Sequence, residues 1–229
     1  VTLLLGGLAA GACSPTEKQA EVEKKQFELP PANHTMRRVY AYLLKKRHIQ
    51  REVLNAFVHA GLIYEDEKYH NAVFVGKDEH GVARHAHKRS THDTGKTFRI
   101  NVEGSDPRCS FHWTGVSDRL YVFEGPIDLL SYITLYPEDW QQHSYVACCG
   151  TSSLPVLWML EHNPGLRDVS LCLDNDKAGH TASLRLAEQI AEQFEIASSR
   201  LIPENKDWND DLTKLAEQDH ACLLYTSPS

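Results

Sequence analysis

Residues 120–128 have the sequence Leu-Tyr-Val-Phe-Glu-Gly-Pro-Ile-Asp, in which an apolar run ends directly at an acidic residue. A second apolar run at 169–173 ends in the same way, because Asp-Asn-Asp follows it at 174–176. Both runs have the length and composition of short buried strands. Glu124 and Asp174 would then stand at the carboxyl ends of two strands, the edge of an open α/β sheet where ligands bind.

Strands and helices alternate in the pattern from residue 120 onward. Predicted strands lie at 120–123, 144–148, 169–173 and 200–202, and predicted helices at 126–135, 154–162 and 178–194. This alternation predicts an α/β fold with a mostly parallel sheet flanked by helices. The preceding residues predict a small α+β module, with helices at 36–47 and 50–60 and strands at 72–75, 82–89, 97–102 and 110–113.

We therefore divide the chain into four segments. Residues 1–35 are expected to be the tail of a preceding domain plus a linker, because Lys and Glu runs precede Leu-Pro-Pro at 29–31. The α+β module covers 36–118, and the α/β domain covers 119–220. Residues 221–229 show no helical or strand period, and we expect them to be an artefactual tail outside the fold.

Charge is divided unevenly between the two halves. Residues 36–119 contain fifteen Lys and Arg against ten Asp and Glu, and residues 120–229 contain six against seventeen. The division favours a polyanion-contacting module attached to a cation-binding one, although unequal solvated surfaces would give the same counts.

The six Cys form no C-x-x-C pair, which excludes a structural zinc site of the usual spacing and fits a reducing, cytoplasmic location. The apolar residues 1–12 are too few to span a bilayer, so no membrane association is expected.

The acidic residues permit two interpretations. Glu124, Asp174 and Asp176 could converge on one or two Mg²⁺ ions, since this cation prefers oxygen ligands and shares its shell with substrate phosphates. Alternatively, Glu124 and Asp174 cap the helices that follow them, where acids are favourable. A third acidic stretch, Lys-Asp-Trp-Asn-Asp at 206–210, could likewise bind metal or cap a helix that begins near Asp210.

Eight short motifs occur in a characteristic order. They are Tyr-Leu at 42–43 with Arg47, Asn-Ala-Val-Phe at 71–74, Asp-Glu-His-Gly at 78–81, Arg89, Glu-Gly-Pro-Ile-Asp at 124–128, Cys-Gly-Thr at 149–151, Asp-Asn-Asp-Lys-Ala-Gly at 174–179 and Lys-Asp-Trp-Asn-Asp at 206–210. In this order they resemble the Toprim domain of bacterial primases, topoisomerases and some nucleases. The first half is similar to the region that precedes this domain in primase-like proteins of mobile elements.

This resemblance implies the roles of the acidic residues. Glu124, Asp174 and Asp176 would be catalytic and would hold Mg²⁺ or Mn²⁺. Asp207 and Asp210 would complete the metal shell. Asp128 would be a further ligand or would orient one, unless it is a surface acid.

Basic residues are expected to contact nucleic acid or nucleotide phosphates. The candidates are Arg84, Lys88 and Arg89 in the strand at 82–89, and Lys206. The neighbouring His80, His85, His87 and His92 are expected to be solvent-exposed rather than zinc ligands, because no Cys accompanies them.

The resemblance implies a bacterial DNA primase-like enzyme that transfers nucleotides onto an RNA primer on single-stranded DNA, in the replication of a mobile element. Its partners would be single-stranded DNA, nucleotides, and a helicase or relaxase. A Toprim-type nuclease is one alternative, and a non-catalytic DNA-binding scaffold is another.

Overall fold

Two β-sheets with helices packed around them form the fold. A computed structural model describes residues 26–92, 97–150 and 152–225. The strands are β1 (Ile63–Glu65), β2 (Ala72–Lys77), β3 (Ala83–Arg89), β4 (Arg99–Asn101), β5 (His112–Trp113), β6 (Arg119–Phe123), β7 (Ser144–Ala147), β8 (Asp168–Leu171) and β9 (Ser198–Arg200). The α-helices are α1 (Arg37–Tyr40), α2 (Arg51–His59), α3 (Pro126–Leu135), α4 (Leu154–His162), α5 (Lys177–Phe194) and α6 (Trp208–Tyr225).

The first sheet is antiparallel throughout, in the order β1-β2-β3-β4. Helix α1 continues into a π-helical segment, Ala41–Lys46, before α2 begins. Gly76 in β2 makes a close approach possible, because a Cβ there would lie 1.7 Å from the carbonyl oxygen of Cys109. The first sheet therefore packs directly against the segment that leads into the second.

The second sheet has the order β5-β7-β6-β8-β9, and its last four strands are parallel. Helices α3, α4 and α5 connect these strands, as the alternating pattern predicts. Strand β5 pairs antiparallel with β7, so it belongs to this sheet even though it precedes residue 119. The mixed α/β fold is confirmed, but one edge strand of the second sheet comes from the segment that we assign to the first module.

One apolar core runs across both modules. Phe57 of α2 stacks on Phe111 and Trp140, with ring centroids 5.4 and 5.6 Å apart, and Phe74 of β2 meets Phe111 edge to face. Burial of such large aromatic surfaces provides most of the stabilising free energy of a core. The two modules therefore support each other through a shared interior.

The structure departs most clearly from the sequence-based expectations at β9, β1 and α6. The edge strand is Ser198–Arg200 rather than 200–202, because backbone pairing with β8 places the polar residues in the ladder, and Ile202 remains 47% exposed. Strand β1 was not predicted, since three residues are too few to show a period. Helix α6 continues to Tyr225, through residues 221–225 of the segment expected to lie outside the fold. The expected tail of a preceding domain and the expected artefactual tail include residues 1–25 and 226–229, which lie outside the described residues.

None of the helices in the described ranges is both long and apolar enough to cross a membrane.

Candidate metal centre

Glu124 stands directly after β6, at the carboxyl end of the second sheet. Its carbonyl oxygen accepts a hydrogen bond from the backbone N–H of Cys149 at 3.0 Å, which ties it to the end of β7. The N-cap of α3 is Gly125, and no side chain caps that helix. The alternative in which Glu124 caps α3 is therefore wrong. Its carboxylate is partly exposed, with Oε1 3.8 Å from Nη2 of Arg99.

The Asp-Asn-Asp loop joins β8 to α5, and its two carboxylates have different hydrogen-bonding roles. Oδ1 of Asp176 accepts a hydrogen bond from the backbone N–H of Gly179 at 2.8 Å, so Asp176 is the N-cap of α5. Oδ1 of Asp174 is buried and has no hydrogen-bond partner. The capping alternative is thus wrong for Asp174, and it applies instead to Asp176.

The third acidic stretch packs against this loop. The backbone N–H of Asn175 donates to the carbonyl oxygen of Lys206 at 2.8 Å, and Nδ2 of Asn175 donates to Pro203 at 3.1 Å. Oδ1 of Asp207 accepts from the backbone N–H of Asp210 at 2.8 Å, which is N-cap geometry at the start of α6. Asp207 therefore lies beside the Asp-Asn-Asp loop, with one oxygen used for capping.

Neighbouring carboxylates raise the pKa of two acids, Asp128 and Asp174. For Asp128, burial and the carboxylates of Asp207, Asp174 and Glu124 raise the pKa well above its ordinary value. For Asp174, burial followed by Glu124, Asp207 and Asp176 raises the pKa to about 6. Only groups that lie close together in a poorly hydrated site repel each other in this way. The structure therefore brings together Glu124, Asp128, Asp174 and Asp207, which we call the carboxylate cluster.

Asp210 and Lys206 lie at the margin of the carboxylate cluster, and both are exposed. Burial and the Asp207 carboxylate raise the pKa of Asp210, while Lys206 and Arg47 oppose this effect. Asp210 is therefore close to the cluster, but solvent reaches it more freely than Asp128 or Asp174.

The cluster fits a hydrated divalent cation better than a fully protein-bound one. Within residues 26–92, 97–150 and 152–225, no three His, Cys, Asp or Glu side chains are arranged as a ready metal shell. Mg²⁺ needs only one or two carboxylates, because waters and substrate phosphates complete its octahedron. The unpartnered Oδ1 of Asp174, in a cluster with excess negative charge, could supply such a ligand. Glu124 and Asp174 are the acids best placed to hold Mg²⁺ or Mn²⁺.

The predicted phosphate contacts separate onto two faces of the first sheet. Arg89 pairs with Arg99 across β3 and β4, and side chains of directly opposite residues share a face. Arg99 approaches Glu124, so this face points toward the carboxylate cluster. Lys88 points to the opposite face by strand alternation, and Arg84 forms an ion pair with Asp78 at 2.7 Å. The structure brings Arg89 to the cluster side, but not Arg84 or Lys88.

The expectation that the hairpin histidines are exposed is wrong for two of them. His85 and His87 are 1% and 6% exposed, because their face of β3 packs against the second sheet. Nδ1 of His87 lies 2.7 Å from Oδ1 of Asn101, whose Nδ2 donates to the carbonyl oxygen of Cys149. Burial lowers the pKa of His85 to about 4. Both side chains are structural parts of the contact between the modules.

Sequence reasoning missed the residue that joins the leading helix to the site. Asn209 is 4% exposed, and its Nδ2 donates to the carbonyl oxygen of Arg47 at 2.9 Å and to Oγ of Ser131 at 3.0 Å. Its Oδ1 accepts from Nη1 of Arg47 at 3.0 Å. The one feature of the sequence that could have indicated this role is that Asn209 is the single amide among the acids at 206–210. The local pattern does not show that its side chain faces inward.

Two family models match the chain. Residues 121–212 match a family described as Toprim-like, and residues 41–117 match a protein family of unknown function, DUF3991. The chain is also 28% identical over 211 residues to the uncharacterized protein pXO2-78 of Bacillus anthracis. That match covers 79% of this chain, and the chain spans 58% of the length of this curated relative.

Solved structures of primases share the fold. The primase fragment of the bacteriophage T7 primase-helicase protein matches with a TM-score of 0.57 at 19% identity, over 79% of this chain and 72% of that chain. A T7 complex whose primase domains are bound to an RNA/DNA hybrid and dTTP matches with a TM-score of 0.56 at 19% identity, over 80% and 90%. The E. coli primase catalytic core gives 0.53 at 16% identity, over 78% and 69%. At these identities the likeness establishes the fold alone.

Proposed function

We propose that this chain, which carries a Toprim-like domain preceded by a DUF3991 domain, makes RNA primers by Mg²⁺-dependent nucleotidyl transfer on single-stranded DNA. The observation that carries the proposal is the carboxylate cluster at the carboxyl end of a parallel sheet, with one buried oxygen of Asp174 left without a partner. The primase fold of the solved structures agrees with it. We place the reaction in the cytoplasm of a bacterium, in the replication of a mobile element.

The acidic residues have distinct parts in this proposal. A divalent cation bound there would polarise a nucleotide phosphate and lower the pKa of the attacking 3′ hydroxyl. Glu124 and Asp174 would hold it, and Asp128 and Asp207 would add negative charge around it. Asp176, which caps α5, would fix the direction of the loop. Asp210, being exposed, would meet the cation only through water.

The basic residues on the cluster side would bind the phosphates. Arg89 and Arg99 lie side by side across β3 and β4, with Arg99 near Glu124. A guanidinium matches a phosphate in geometry as well as in charge. These two residues would hold the template strand or the incoming nucleotide, and Lys206 would meet a phosphate from the opposite side. Arg84 and Lys88 could contact only strand that passes over the far face.

The partners follow from the same assignment. The T7 structures are of the primase fragment of a primase-helicase protein and of primase domains bound to an RNA/DNA hybrid and dTTP. By analogy, single-stranded DNA and nucleotides are the substrates that we propose for this chain, with a replicative helicase or a relaxase as its protein partner.

Primer synthesis by the full chain tests the proposal. The chain is incubated with single-stranded DNA, labelled ribonucleotides and Mg²⁺, and the products are separated on a denaturing gel. Glu124→Gln and Asp174→Asn should each lower primer formation about a thousandfold, which corresponds to about 4 kcal/mol of transition-state stabilisation. Asp168→Asn is the matched control, since Asp168 lies at the amino end of β8, where it pairs with Arg119.

The other functions give different products in the same reaction. Shortened DNA that requires Asp174 would identify a nuclease instead. DNA binding with neither product, unchanged by Glu124→Gln, would identify a scaffold. Primers that survive Asp174→Asn at the wild-type rate would contradict the assignment of the cluster.

A further inference from the structure

Arg200 on the edge strand β9 grips the backbone around the Asp-Asn-Asp loop. Its Nη2 donates to the carbonyl oxygen of Asp174 at 3.0 Å, and its Nη1 donates to the carbonyl oxygen of Gly179 at 2.8 Å. Nη1 also donates to Oγ of Ser183, which in turn donates to the carbonyl of Gly179 at 2.8 Å. One guanidinium thus joins the beginning of the loop to the first two turns of α5.

Arg200 can make these hydrogen bonds because Gly179 allows α5 to approach the loop closely. A Cβ at Gly179 would lie 2.1 Å from the carbonyl oxygen of Asp174, far inside van der Waals contact. A glycine inside a helix costs about 1 kcal/mol relative to alanine. The chain accepts this cost at a position where any larger residue would push Asp174 away from the helix.

The loop is held from its other side as well. The backbone N–H of Asn175 donates to Lys206, and Nδ2 of Asn175 donates to Pro203. Arg200 fixes the carbonyl of Asp174 on one side, and the segment 203–206 fixes Asn175 on the other. The direction of the Asp174 side chain is set between these two attachments.

Arg200 is a costly residue for a purely structural role. It lies opposite Leu171 in the β8–β9 ladder, and its Nε is buried without a partner. Within the described residues its bonds go to two carbonyl oxygens and a hydroxyl, and none goes to a carboxylate. Arg200 is half-buried, and burial lowers its pKa although the nearby Asp176 carboxylate opposes this effect. Removing part of a guanidinium from water without a hydrogen bond to a carboxylate is unfavourable unless the bonds that it makes are needed.

We propose that Arg200 is a positioning residue for the cation site: it holds the Asp174 backbone so that the Asp174 carboxylate faces Glu124 and Asp207. The inference rests on the proposed function, because it assumes that this cluster binds a divalent cation. Groups that orient a metal ligand without touching the metal typically change its affinity 10- to 100-fold. Loss of Arg200 should therefore weaken cation binding at least tenfold.

Direct binding of Mn²⁺ to the full chain tests this role. Free Mn²⁺ is followed by its electron paramagnetic resonance signal during titration of the wild type, Arg200→Met, Arg200→Lys and Arg185→Met. Arg185 is the matched control, because it is exposed on α5. We expect at least tenfold weaker binding for Arg200→Met and the wild-type affinity for Arg185→Met. Arg200→Lys should have an intermediate affinity, because it keeps the charge and one donor nitrogen.

Folding and function are measured separately from affinity. Thermal unfolding in EDTA shows which variants fold, and if Arg200→Met does not, Arg200→Lys decides. A folded Arg200 variant with the wild-type Mn²⁺ affinity overturns the positioning role, even where primer synthesis is found. Arg200-dependent Mn²⁺ binding without any primer synthesis overturns the proposed reaction and supports the positioning role. A wild type that binds no Mn²⁺ overturns both.

Discussion

Replacement of Asn209 by alanine should destabilise the whole protein, although the residue lies at the beginning of the last helix. The change removes both hydrogen bonds to Arg47 and the one to Ser131. A bond to a charged partner is worth about 1.5–3 kcal/mol, and a neutral one about 0.5–1.5 kcal/mol. Ser131 keeps its bond to Ile127, and Arg47 keeps its bond to Tyr42, which limits the loss. We expect a decrease of about 3 kcal/mol in the free energy of unfolding.

Urea unfolding of the full chain measures this loss. With a slope of about 2 kcal/mol per molar urea, the midpoint of Asn209→Ala should fall by about 1.5 M at an unchanged slope. Asn163→Ala is the control, because Nδ2 of Asn163 donates only to the carbonyl oxygen of Met159 at the end of α4. If both variants lose less than about 1 kcal/mol, Asn209 does not join the modules in the way that the hydrogen bonds indicate.

Three further predictions concern His85, Gly179 and Glu124. Since burial lowers the pKa of His85 to about 4, the unfolded chain takes up this proton first, so stability should fall by about 3 kcal/mol between pH 6.5 and pH 4. Urea titrations at both pH values should show a smaller fall for His85→Gln. Gly179→Ala should lower the melting temperature and weaken Mn²⁺ binding, although replacing glycine by alanine inside a helix usually raises stability by about 1 kcal/mol. Gly165→Ala is the control and should change neither property, because there is open space around Gly165. In EDTA at pH 8, Glu124→Gln should melt about 2–4 °C higher than the wild type, because the change removes one of the carboxylates that repel Asp174. An unchanged or lower melting temperature would contradict this repulsion.

Apolar periodicity was sufficient for most of the second sheet. The helices at 126–135 and 154–162 were predicted to the residue, because each is bounded by a turn signal and carries an apolar face. The edge strand was displaced by two residues, since its ladder holds Ser198, Ser199 and Arg200, which have no strand pattern. Backbone pairing, rather than side-chain character, determines such an edge.

The candidate site was predicted as a set of acids but not as a geometry. Order along the chain correctly placed Glu124 and Asp174 at strand ends, and Asp207 lies beside them. The sequence could not show which aspartate of the Asp-Asn-Asp loop caps α5, because capping by Asp176 depends on the exact start of this helix. That Arg84 and Lys88 lie away from the cluster was not predictable for a related reason, since the neighbours of β3 in the sheet, and not its own sequence, fix which face each side chain is on.

Strand β5 determines how the protein can be divided. It is formed by residues that precede β6, yet it completes the edge of the sheet that carries the carboxylate cluster. Cutting the chain at the boundary of the two sequence modules would leave the second fragment with β7 unpaired on one side. It would leave the first fragment without the contacts that Trp113 makes with Trp140 and β7. The two halves are therefore suited to a split reporter, in which neither fragment folds well alone and their reassociation restores the site. A stable excised α/β domain has to begin before Phe111 rather than at Arg119.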